Sequence, residues 1–177
     1  MSQKILETIT KLPGVFPPML LLVQGIVEKG LGYHSRLHIP GSEEIDSAPY
    51  DWPIRFAAGS LNIFVPTLPH EVPRRQGFKA LDKGKIPAAF TIPQNAIGNN
   101  SLHKKFLKPR RGTGQAWRAI LSAHAGTQNV WVFRRIGSHM RQHLELISPF
   151  ILREQLRLMD GDTVKLTLVD HFHDAQQ

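Results

Sequence analysis

Hydrophobic residues recur along this chain in short alternating runs separated by proline and glycine, a pattern that builds strands rather than long helices. In TVKLTLVD (163–170), Val164, Leu166 and Leu168 alternate with Lys165 and Thr167, as the two faces of a half-buried strand require. HLELIS (143–148) alternates in the same way. MLLLVQGIVEKGLG (19–32) predicts a strand of about nine residues ending in a glycine turn at Gly30 and Gly32. AWRAILSAH and NVWVFRRI predict two more strands, joined across AGTQ as a hairpin. GSLNIFV (59–65) enters its apolar run with Ser60 and Asn62, which share a face if the chain is extended from Gly59 onward. That pair reads either as turn chemistry at a strand start or as two neutral oxygen ligands for a hard cation.

Helical periodicity is confined to two places. MSQKILETITKL (1–12) spaces Ile5, Ile9 and Leu12 on one helical face before Pro13-Gly14 stops the run. Ser148-Pro149 is a helix-start pair, and FILREQLRLM after it predicts a short helix with Ile151, Leu152, Leu156 and Leu158 inward. Asp160-Gly161-Asp162 then turns the chain, with both carboxylates structural. Prolines every few residues restrict the middle, 66–115, to loops, edges and short strands. Together these elements predict a mostly β domain, a closed barrel rather than a sandwich, with a short helix toward each end.

At 177 residues, with 41% hydrophobic and 20% charged residues, the chain suits one soluble domain with a real core. The absence of cysteine excludes disulfides and thiolate metal sites. No apolar run approaches the roughly 20 residues of a membrane helix. MLLLV (19–23) is short for a signal-peptide core and has no small-residue cleavage site after it, so a cytoplasmic location is expected. The net charge of +8 predicts an anionic partner: nucleic acid, nucleotide phosphates or a membrane surface. In HKKFLKPRRGTG (103–114), Lys104, Lys105, Lys108, Arg110 and Arg111 cluster, with Phe106 and Trp117 interleaved. Such a loop suits either plain solvation or a stacking-plus-phosphate surface for nucleic acid. The histidines, including His139, His143, His171 and His173, fall at no recognised zinc spacing.

Two blocks carry a resemblance. VQGIVEKGLG followed by GSLNI, and HLELISPFILREQLRLMDGDTVKLTLV near the end, resemble the archaeal CTP-dependent riboflavin kinases. That family has a Gly-Leu-Gly-Glu-Gly loop after a strand, then a Gly-Thr-Leu-Asn strand. Later come a Glu-Ile/Leu-Ile-Ala/Ser-Pro strand, a Leu-Arg-Glu helix and an Asp-Gly-Asp turn. The resemblance covers residues 20–65 and 128–170 in order. It implies a six-stranded cradle-loop barrel; the expected organisation is residues 1–18 a helical lead-in outside the matched blocks, 19–170 the barrel domain and 171–177 a tail. The activity it implies is transfer of the terminal phosphate of CTP to riboflavin, giving FMN, with Mg2+ as cofactor and no membrane partner.

By the same resemblance, Gly30, Leu31, Gly32, Tyr33, His34, Ser35 and Arg36 match a nucleotide loop. Backbone amides in such a glycine turn can approach phosphate. The family's Glu-Gly is replaced here by Tyr33-His34. Phe150, Ile151, Leu152 and Arg153 match a second nucleotide contact. Ser60 and Asn62 match the Thr and Asn that hold magnesium, and a hydroxyl and an amide oxygen suit that hard cation. Glu145 matches a flavin-side glutamate, with Ser138 the nearest hydroxyl to a flavin-side threonine. No general base is evident. A barrel that binds flavin or nucleotide without catalysis, and a nucleic-acid-binding barrel using 103–114, are the other expectations.

Overall fold

Leu21, Val23 and Val27 alternate inward along the first strand, β1 (Met19–Glu28), while Leu22 and Gln24 face out. The same alternation seats Val164, Leu166 and Leu168 of β9 (Thr163–Val169) against them. In the computed structural model, which describes residues 19–30, 37–84, 86–99 and 112–172, the other strands are β2 (Leu37–His38), β3 (Leu61–Phe64), β4 (Phe90–Ile92), β5 (Gly98–Asn99), β6 (Gly114–Ala123), β7 (Gly126–Arg135) and β8 (His143–Ile147). One short helix, α1 (Leu152–Gln155), precedes β9. The N-terminal helical expectation falls outside the described residues. So does most of the basic loop, through Arg111.

Seven strands form one antiparallel sheet in the order β4-β6-β7-β8-β3-β1-β9. β9 also pairs with β6, so the hydrogen bonding runs in a ring, β6-β7-β8-β3-β1-β9 and back to β6, with β4 attached to β6. β2 and β5 pair separately. The fold is mostly β, as the alternating runs predict. No helix among the described residues is long and apolar enough to cross a membrane.

The side chains inside the ring form the main core, including Val27, Leu61, Ile63, Trp117, Ala119, Leu121, Val132, Leu144 and Leu146. One end is closed by the segment after β3. There Val72, Phe78 and Leu81 are buried, and the Phe78 amide donates to the Arg141 carbonyl (2.8 Å). A second apolar cluster lies on the outer face, where Trp131, Phe133 and Ile147 meet Ile45, Trp52, Phe90 and Ile92. Trp52 stands edge-on to Phe56, Phe90 and Trp131, with centroids 4.7 to 4.9 Å away, and its Nε1 donates to the Pro40 carbonyl (3.0 Å). Arg118 on β6 clamps this layer from the side. Its guanidinium binds Asp51 (2.7 Å from Nη2 to Oδ1) and stacks 5.0 Å from the Trp131 ring. The Asp51 hydrogen bond raises the Arg118 pKa above its usual value, against desolvation.

Within this outer layer Gly41 packs so tightly that a Cβ would lie 1.6 Å from the Ile54 carbonyl oxygen. Backbone cannot yield as a flexible side chain does, so Gly41→Ala is expected to cost about 3 kcal/mol, read as a lowered urea midpoint. An unchanged midpoint would show that the 41–54 segment is free to move apart.

Three local expectations are corrected. The β6–β7 hairpin turns at His124-Ala125, not across AGTQ, because pairing continues to Ala123 opposite Gly126. Ser148 does not cap a helix. Its Oγ accepts from the Phe150 amide (3.2 Å), and α1 begins only at Leu152. α1 is a single turn, so Leu152, Leu156 and Leu158 are buried but Ile151 is 51% exposed. The chain leaves α1 through Arg157 at φ 50°, which brings Leu158 back to the core. Asp160-Gly161-Asp162 is a turn, as expected. Gly161 has φ 93°, and the Asp162 carboxylate accepts from the Met159 amide (2.8 Å).

Candidate functional site

Antiparallel pairing brings four chain crossings to the other end of the ring: the exit of β1, the entry of β3, the exit of β8 and the entry of β9. The Ala57 amide donates to the Ser148 carbonyl (2.9 Å), tying the approach to β3 onto the exit of β8. The Val27 amide and carbonyl bond Asp162 and Gly161 (both 2.8 Å), tying β1 to the turn before β9. Arg153 completes the frame. Its Nη2 donates to the Glu28 carbonyl (3.0 Å) and to the Asp160 carboxylate (2.6 Å).

A cavity of about 170 Å³ opens between two of these crossings, the entry of β3 and the exit of β8. It is walled by Gly59, Ser60 and Leu61 on one side and by Ser148 and Phe150 to Arg153 on the other. Gly59 has φ 89° with open space where a Cβ would stand, so glycine is needed here for the backbone turn rather than for room. That turn places the Ser60 hydroxyl in the wall. Its Oγ is buried and has no hydrogen-bond partner among the described residues. An unsatisfied buried hydroxyl costs on the order of 1–3 kcal/mol, so a ligand able to engage it would recover that cost.

Asn62 lies two residues further on. In register it stands between Glu28 of β1 and Glu145 of β8, so the three side chains share the outer face of the ring. A neutral amide at the centre of that row avoids three carboxylates side by side, which cross-strand repulsion would penalise. Asn62 is 9% exposed and Glu145 7%. His143 also belongs to this face. Its Nε2 lies 3.0 Å from the Glu28 carboxylate, and its ring centroid is 5.1 Å from that of Phe64.

The expected site residues therefore fall into groups. Ser60 and Phe150, Ile151, Leu152 and Arg153 line one cavity. Asn62 and Glu145 are direct cross-strand neighbours. Gly30 follows the exit of β1, two residues past Glu28, whereas Leu31, Gly32, Tyr33, His34, Ser35 and Arg36 lie outside the described residues. Ser138 is in the turn beyond β7, past the opposite end of β8 from the cavity. Its Oγ accepts from the Met140 amide (3.3 Å). Ser60 precedes β3 rather than lying within it, so its direction is set by the Gly59 turn and not by strand alternation. Sequence reasoning passed over Glu28 and the Ser148 carbonyl. The position of Glu28 just before the glycine turn was the available signal for the first, and nothing in the sequence pointed to the second.

The family model for CTP-dependent riboflavin kinases, a domain of unknown function (DUF120), matches residues 58–168. The chain belongs to the CTP-dependent riboflavin kinase family. The matched residues contain the Gly59 turn, Ser60, Asn62, Glu145, α1 and the start of β9, so every described wall of the cavity except Ala57 falls within the family domain. β1 and Gly30 lie N-terminal to the match. No curated protein matches the chain.

Proposed function

We propose that this chain is a riboflavin kinase, transferring the terminal phosphate of a nucleoside triphosphate, CTP by family, to riboflavin to give FMN. The observation that carries the reading is the unpartnered Ser60 hydroxyl, buried in a cavity walled by the start of α1, within a domain of this family. We propose further that the ring is the six-stranded cradle-loop barrel of that family.

Phosphoryl transfer asks a protein chiefly for positioning and for charge at the phosphate oxygens. The Ser60 hydroxyl and the Asn62 amide oxygen would hold Mg2+, a hard cation that accepts neutral oxygen ligands and retains several waters. Its presence would supply positive charge to the phosphate oxygens during transfer. The unsatisfied Ser60 Oγ fits that assignment. The Phe150 to Arg153 wall and the segment 30–36 would hold the nucleotide. Arg153 already spends hydrogen bonds on Glu28 and Asp160, so its part is to fix the wall and add charge beside it. Glu145, with Ser138 as the more distant expectation, would accept hydrogen bonds from the flavin.

Incubation of the purified chain with riboflavin, Mg2+ and CTP, with ATP in parallel, tests the reading by chromatography of the flavins. FMN is expected with CTP and is expected to vanish on chelation of the metal. No FMN with any nucleoside triphosphate would overturn the kinase assignment. Retained flavin binding without turnover would instead mark a binding protein.

A further inference from the structure

We infer that Glu28 is the proton acceptor of the transfer reaction and that His143 orients its carboxylate. The inference rests on the kinase reading and supplies the base that reading lacks. Glu28 is the last residue of β1 and pairs in register with Asn62. Directly opposed residues in an antiparallel pair have Cα atoms roughly 4.5–5.5 Å apart with side chains on one face. The carboxylate therefore neighbours the amide assigned to Mg2+.

Three of the other described carboxylates nearby are engaged or enclosed, and Glu154 lies on α1, outside the strand row that holds Asn62. Asp160 is paired with Arg153, Asp162 accepts from the Met159 amide, and Glu145 is buried. The Glu28 side chain is 44% exposed and so can be reached by a ligand. One of its oxygens, Oε2, meets His143 Nε2, which leaves Oε1 for an incoming hydroxyl. The backbone beneath it is fixed. The Glu28 carbonyl accepts from Arg153, and Val27 is bonded on both sides to the turn before β9. His143 is itself held against Phe64, so the carboxylate meets a ring of set orientation.

In the step, the ribityl hydroxyl oxygen of riboflavin forms a bond to the terminal phosphorus. The bond from that phosphorus to the bridging oxygen breaks, and its electron pair leaves with the nucleoside diphosphate. The hydroxyl proton passes to Glu28 Oε1. A carboxylate serves protein kinases in the same capacity.

Glu28→Gln keeps the shape and the bond to His143 but cannot accept the proton. Its kcat is expected to fall on the order of 10²–10⁴-fold, with KM for riboflavin within about 3-fold of native. Formate is expected to restore turnover to Glu28→Ala by supplying a carboxylate at the vacated position. His143→Gln is expected to lower kcat by about 10-fold with little change in KM, as a positioning residue would. Native-like turnover of Glu28→Gln, or failure of formate to rescue a folded Glu28→Ala, would overturn the assignment and leave a strand-tying ion pair. Either result leaves the kinase reading standing, whereas absence of FMN from the native chain removes both.

Discussion

Asn62→Ala is expected to abolish FMN formation, lowering kcat at least about 100-fold, while the protein remains folded. Loss even of a group that only supports a metal ligand typically costs on the order of 10- to 100-fold, and Asn62 is assigned as a ligand itself. The fold should tolerate the change because β3 is anchored by its other face. Leu61 and Ile63 point into the core and are retained, as is the ladder to β1 and β8. Loss of one buried amide should cost only about 1–2 kcal/mol. Steady-state kinetics with CTP and riboflavin, beside a thermal melt, separate the two effects. A folded Asn62→Ala protein with native turnover would remove the metal assignment.

Asp82→Ala is expected to lower stability by about 3–5 kcal/mol, the typical cost of stranding a buried charge. The Arg134 side chain is 2% exposed and meets Asp82 at 3.0 Å from the 3₁₀ helix Gly77–Lys83. Its Nη1 donates to the Met140 carbonyl (3.2 Å), and its Nη2 is buried without a partner among the described residues. Without the carboxylate, the guanidinium would remain inside with one carbonyl to compensate it. Urea unfolding measures the loss. The double variant Asp82→Ala with Arg134→Met should recover most of it, because the stranded charge rather than a missing attraction dominates. A midpoint for Asp82→Ala close to native would show that this end of the ring is held by Phe78 and Leu81 alone.

Much of this molecule is legible from local pattern. The alternation in β1 and β9 reports inner and outer faces because each strand packs one side against the ring interior. The turn at Gly161 is legible from its flanking aspartates. The alternation of HLELI also predicts a solvated outer face for β8, yet Glu145 is buried there. Beside it, Trp52 and Ile45, from a proline-rich segment with no periodicity of its own, cover Trp131, Phe133 and Ile147. The helix after Pro149 is also overread. Its leucines reach the core through a left-handed residue, Arg157, rather than along a continued helical face.

Local pattern along the chain is enough for the strand-rich class, the turns, the basic character and the motifs that belong to the riboflavin kinase family. Each depends on residues close together in the chain, where propensity and spacing act directly. The tertiary structure alone decided that Ser60 faces α1 across a cavity and that Glu28, Asn62 and Glu145 form one row. It also decided that His143 reaches back to Glu28. Those contacts join residues separated by as many as 115 positions, and only the register of β1, β3 and β8 brings them together.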